Sequence, residues 1–130
     1  MRKVYIDSCT AIYLVEEHPA YCETIENALA KLDGITCYSP LTELECLVLP
    51  LRLKRKALLD KFNRFFSLNL RLDMPDSVYR EAVRLRVKFG IKTPDALHLA
   101  TARHHCCTEL WTNDNRLASV ADGMALNILA

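Results

Sequence analysis

Four carboxylates in this 130-residue chain, Asp7, Glu45, Asp95 and Asp114, stand where side chains can do chemistry. Each alone has an ordinary reading. Asp7 ends the run Lys3–Asp7 and can cap the helix after it, and Asp95 follows Thr93-Pro94 at a helix start. Asp114 lies in the polar break Asn113-Asp114, and Glu45 sits beside an apolar helical stripe. Their joint reading is different. Acids that end strands stand at the carboxyl edge of a parallel sheet, where open α/β sheets collect ligands, and an acid that starts a helix can reach the same crevice. Carboxylates crowded there repel one another unless a cation neutralises them. All-oxygen donors without His or Cys favour hard ions, Mg²⁺ or Mn²⁺, over zinc. Such a site serves phosphoryl chemistry: the ion holds a phosphate oxygen, activates water and stabilises the departing oxygen.

The elements that must position these acids follow from patterning. Lys3–Asp7 is a β-branched and aromatic strand, followed by a helix from about Cys9 to Glu17. Pro19 restarts the chain as an amphipathic helix carrying Ile25, Ala28, Leu29 and Leu32, and Ile35–Tyr38 reads as a second strand. Ser39-Pro40 opens a third helix, with Leu41, Leu44, Leu47 and Val48 as its expected core stripe. Leu51–Leu68 interleaves Arg52, Lys54, Arg55, Lys56, Lys61 and Arg64 with leucines and phenylalanines. That pattern reads as a solvated cationic face, with a phosphate-facing rim or a partner groove as the sharper alternatives. Leu68–Leu72 alternates like a strand, and Asp73-Met74-Pro75 starts a long helix to Phe89 that Gly90 stops. Thr93 is read as the capping hydroxyl of the next helix; Thr108–Thr112 is a buried strand, and Leu126–Leu129 a last edge strand. Alternating strands and helices predict one α/β domain over residues 1–130, with a parallel sheet covered on both faces.

Composition excludes several classes. With 51% hydrophobic and 25% charged residues and a net charge of +1, no global field draws the chain to nucleic acid, so any such binding needs local patches. No run is apolar and long enough to span a bilayer and no signal peptide is read, so a cytoplasmic protein is expected. Cys9, Cys22, Cys37, Cys46, Cys106 and Cys107 form no C-x-x-C pair and are expected to be reduced and structural. His104, His105, Cys106 and Cys107 are adjacent, point in different directions and have no second cluster to complete a zinc site.

The fragments YIDS at Tyr5–Ser8, LTELE at Leu41–Glu45, TPDALHLATA at Thr93–Ala102 and WTND at Trp111–Asp114 resemble the PIN-domain ribonucleases in residues and in order. More narrowly, they resemble the VapC-type toxins of type II toxin–antitoxin pairs. That resemblance implies an α/β/α sandwich around a mainly parallel sheet of four to five strands. It implies a Mg²⁺- or Mn²⁺-dependent endoribonuclease that acts on RNA, forms a homodimer and is held inactive by a cognate antitoxin. The family's catalytic and metal-binding acids fall on Asp7, Glu45, Asp95 and Asp114. Glu45 is selected because the second acid stands three residues after a Thr, here Thr42; Glu43 is the neighbouring alternative. Ser8 and Thr112 can orient a carboxylate or act as caps. His98, one turn from Asp95, reads as a packed, hydrogen-bonded residue. Two other readings compete: a catalytically silent domain binding RNA or protein through Arg52–Arg64, and a PIN nuclease acting in RNA processing or on DNA.

Overall fold

The computed structural model describes residues 1–121 and 123–129. Its centre is a five-stranded sheet in the order β3-β2-β1-β4-β5, built from β1 (Arg2–Ile6), β2 (Gly34–Tyr38), β3 (Leu70–Arg71), β4 (Glu109–Thr112) and β5 (Ala125–Asn127). Every pairing is parallel. The chain steps outward from β1 to β3, crosses back, and adds β4 and β5 on the far side of β1. The direction of growth therefore reverses between β1 and β4, and the crevice beyond their carboxyl ends is where such sheets place ligands. Tyr5 pairs with Leu110 and Ile6 with Trp111, so the residues just after β1 and β4 emerge side by side.

Strand alternation sorts the core into two layers. Val4 and Ile6 pack with Tyr38, Trp111, Leu58, Phe62 and Phe66 under α1 (Ser8–Val15), α2 (Cys22–Ala30), α3 (Pro40–Arg52) and α4 (Lys56–Leu68). Tyr5, between them, faces the opposite layer with Leu110, Val78, Ala82, Leu85, Leu99 and Leu117 under α5 (Asp76–Phe89), α6 (Thr93–His104) and α7 (Asn115–Val120). This is the α/β/α sandwich that the fragments implied, with a fully parallel sheet.

Three details depart from the sequence reading. The core stripe of α3 is Thr42, Cys46 and Pro50, whereas Leu44 is 63% and Val48 44% exposed. The helix start sets that phase: the Ser39 and Thr42 side chains form a reciprocal capping box, which turns Thr42 and every fourth residue after it inward. Thr93 does not cap α6; it is the first helical residue, and Lys92 holds the cap position without a side-chain bond. The last strand is Ala125–Asn127, and within the closing segment 120–130 Asp122 and Ala130 lie outside the described residues. All six cysteines are unpaired, Cys22, Cys37, Cys46 and Cys107 buried and Cys9 and Cys106 exposed. Among the described residues no helix is long and apolar enough to cross a membrane.

The tightest backbone approach lies at the start of β2. Gly34 pairs with Arg2, and a Cβ at Gly34 would stand 2.0 Å from the Arg2 carbonyl oxygen. Relief requires moving the β1 or β2 backbone. Gly34→Ala is therefore expected to cost roughly 1–3 kcal/mol or more, the usual range for overpacking. A melting midpoint unchanged by the substitution would show that the start of β1 yields freely.

Candidate active site

The end of each central strand carries an acid locked by its own helix. The Asp7 N–H donates to the Trp111 carbonyl at 3.2 Å, continuing the β1–β4 ladder by one residue, and Asp7 Oδ1 accepts from the Thr10 N–H at 2.9 Å. Asp114 is built alike: its N–H donates to Thr112 Oγ1 at 3.0 Å, and its Oδ1 accepts from the N–H groups of Arg116 and Leu117 at 2.8 and 3.2 Å. The capping and functional readings of these two acids are one geometry. In each, the cap takes Oδ1 and fixes the carboxylate's direction.

Asp95 enters from the first turn of α6. Its carboxyl is pushed up to about 6, by burial first, then by the charge of Asp114 and the hydrogen bond the two share, with Asp7 adding to the effect. Glu45 enters from α3, and its Oε1 accepts from Ser8 Oγ at 2.7 Å and from His98 Nε2 at 2.8 Å. Burial opposes its ionisation, but the bonds from His98 and Ser8 outweigh this and hold its pKa below the ordinary glutamate value. Glu43 points elsewhere and pairs with Arg71 at 2.8 Å, so of the two neighbouring glutamates only Glu45 is at the crevice.

A small cleft is lined by Asp7, Ser8, Cys9, Glu45, Pro94, Asp95 and His98. Asp114 is not in that lining, yet it acts on Asp95 directly. The Cys9 thiol feels all four acids: burial and then the charges of Asp7, Glu45, Asp95 and Asp114 raise it to about 11. The structure thus places three of the sequence-predicted acids, Asp7, Glu45 and Asp95, in the lining of one cleft, with Asp114 beside it and acting on Asp95. Tyr5 and Ser39 escaped the sequence reading. The Tyr5 hydroxyl bonds His98 Nδ1 at 2.5 Å and Ser39 Oγ at 2.7 Å, both wholly inside the protein. Tyr5 was patterned as strand core and Ser39 as a helix opener, and nothing local shows which distant groups they meet.

These residues suit a hard divalent cation in kind and in charge. The donors are all carboxylate oxygens, and the elevated Asp95 shows negative charge left uncompensated. Among the described residues no three His, Cys, Asp or Glu side chains are grouped so as to hold an ion as they stand.

A fully parallel α/β/α sandwich with acids at its switch point defines the class. Residues 4–123 match the PIN domain family, and the chain belongs to that family. No curated protein matches the sequence significantly. Among solved structures, a toxin–antitoxin complex from Klebsiella pneumoniae is similar with a TM-score of 0.80 and 22% identity, over 96% of this chain and 97% of that one. VapBC2 from Rickettsia felis, bound to a DNA fragment from its promoter, matches with a TM-score of 0.80 and 17% identity, over 95% and 97% of the two chains. VapC20 of Mycobacterium tuberculosis, a Sarcin-Ricin loop cleaving toxin, matches with a TM-score of 0.73 and 14% identity, over 89% and 93%. At these identities the likeness is one of fold.

The crowding predicts a pH signature. Asp95 binds its proton near pH 6 in the folded protein and near 3.9 when unfolded. Between those values the folded state holds more protons, so this group's contribution to stability falls as pH rises from about 4 through 6. Asp95→Asn removes the penalty. In metal-free melts, the advantage of Asp95→Asn over the parent should be larger at pH 7.5 than at pH 4.5. A constant gap would show that Asp95 is not crowded by its neighbours.

Proposed function

We propose that this protein is a divalent-metal-dependent endoribonuclease, the toxin of a type II toxin–antitoxin pair. The observation that carries this is the meeting of Asp7, Glu45, Asp95 and Asp114 at the switch point of a PIN fold. Toxin–antitoxin complexes and a Sarcin-Ricin loop cleaving toxin among the similar folds support it. A single domain, residues 1–130, carries the whole site.

Asp7, Asp95 and Asp114, with Glu45 beside them, would hold Mg²⁺ or Mn²⁺. The bound ion would supply Lewis acidity at a phosphodiester oxygen and a hydroxide at neutral pH. The chain's own part is to hold charge in place. Asp7 and Asp114 present carboxylates aimed by their caps, and Asp95, already mostly ionised at neutral pH, would add its charge to the site. Glu45 stays ionised under the Ser8 and His98 bonds and orients the attacking water. Ser8 acts on the site through Glu45, and Thr112 through the Asp114 backbone.

The partner reading rests on surface. Leu44, Val48 and Leu51 of α3 face outward at 63%, 44% and 58% exposure, running into the exposed Arg52, Lys54, Arg55 and Lys56. An antitoxin segment with an apolar face would cover them and block the adjacent cleft. On α5, Tyr79, Val83 and Val87 expose 50%, 62% and 83% of their surface at four-residue steps, an apolar stripe suited to a second copy in a homodimer.

Expression of the chain alone, with sequencing of the RNA ends that appear, tests the activity. Asp95→Asn should lose roughly 10²-fold or more of RNA cleavage while remaining folded. Glu45→Gln should fall steeply, and Glu43→Gln, which loses only an exposed ion pair worth about 0–1 kcal/mol, should stay near the parent rate. Full cleavage by purified Asp95→Asn in Mg²⁺ sinks the site assignment.

A further inference from the structure

Glu45 is held differently from the other acids. Backbone N–H groups fix Asp7 and Asp114, whereas side chains from two other elements grip Glu45. Ser8 Oγ and His98 Nε2, themselves 3.3 Å apart, both meet Oε1. A carboxylate only accepts, so His98 Nε2 carries a hydrogen. In the neutral ring Nδ1 is then a lone pair, and the Tyr5 hydroxyl donates to it at 2.5 Å. The Tyr5 oxygen in turn accepts from Ser39 Oγ at 2.7 Å, with Thr42 Oγ1 a further 3.4 Å contact. Ser39 is fixed by its capping box with Thr42 at the head of α3.

The bonds form a closed circuit. It leaves the cap of α3, passes through Tyr5 on β1 and His98 on α6, and returns to Glu45 two turns along α3. Tyr5 stands two residues before Asp7, and His98 three residues after Asp95. One chain of hydrogen bonds thus fixes the helix that brings Glu45 against the two elements that bring Asp7 and Asp95. Tyr5, Ser39 and Thr42 are fully buried and His98 is 3% exposed. Packing alone would be served as well by apolar side chains at these positions, without desolvating four polar ones.

We infer that Tyr5 and His98 are positioning residues, a buried relay that sets the pose of Glu45 and through it the affinity of the acid cleft for its divalent ion. This rests on the metal-site reading of the preceding subsection. Outer partners of this kind carry roughly 10–100-fold of metal affinity.

The full chain is titrated with Mn²⁺, free ion being read by electron paramagnetic resonance, and each variant's melting curve is recorded beside it. Glu45→Gln and His98→Leu should each weaken binding by roughly 10–100-fold. His98→Gln, whose amide can donate where Nε2 does, should restore most of the loss, and Tyr5→Phe should lose less than His98→Leu. Long-range ¹⁵N–¹H spectra of the metal-free parent should show His98 protonated on Nε2 alone, and Tyr5→Phe should mix the tautomers. Unchanged Mn²⁺ affinity in folded His98→Leu, while Glu45→Gln is weakened, overturns the relay and leaves the metal site standing. Unchanged affinity in Glu45→Gln overturns the metal site and the relay with it. A parent His98 protonated on Nδ1 overturns the relay whether or not any variant folds.

Discussion

Like charges in a half-buried cleft repel, and the fold must supply the force that keeps them close. Here that force is the pairing of β1 with β4. Its ladder runs through Val4–Glu109, Tyr5–Leu110 and Ile6–Trp111, and the Asp7 N–H extends it to the Trp111 carbonyl. At the amino end Arg2 and Glu109 tie the same two strands through a bidentate pair at 2.5 and 2.6 Å. Burial of Val4, Tyr5, Ile6, Leu110 and Trp111 locks the ladder from both faces, each apolar side chain contributing on the order of 1.5–3 kcal/mol. The cost of burying Asp95 beside its like-charged neighbours is small beside that sum. The sheet can therefore hold a site that would fly apart if its acids were carried on loops alone.

The acids differ in how tightly they are held, and the difference is chemical. Asp7 and Asp114 spend one oxygen on a helix cap, a bond to backbone that moves only if the helix moves. Asp95 has neighbours of its own sign and takes up a proton in their company. Glu45 has hydrogen-bond donors, His98 and Ser8, and keeps its charge. Two acids pushed in opposite directions within one cleft is the pattern expected where titrating groups have separate tasks.

Much of the architecture was legible because strand and helix periods alternate plainly along the chain. Asp7 and Asp114 could be placed because strand ends are marked by abrupt polarity, and Asp95 because Pro94 announces a helix. The inner face of α3 was not legible. Leu41, Leu44, Leu47 and Val48 form the better apolar stripe by composition, yet Thr42, Cys46 and Pro50 turn inward, Leu47 packs only partly against the core and Leu44 and Val48 face out. Thr42 is anchored by a cap and by the nearby Tyr5 hydroxyl, and those bonds decide the helix phase against hydrophobicity. Tyr5 itself looked like ordinary strand core, because its partner His98 lies 93 residues away. Hydrogen bonds of that reach leave no local periodicity to read.

The β1–β4 pairing has a consequence for when the site comes into being. Arg2 and Glu109 meet across 107 residues, so the central ladder closes only after all the chain between them is available. Parallel strands joined across such distances make a topology of high contact order, which folds late and in concert. During synthesis Asp7 emerges long before Asp114, and no segment that lacks either can bring them together. A nascent or broken chain therefore carries the acids without the cleft. The site switches on in one step, with the completion of the fold.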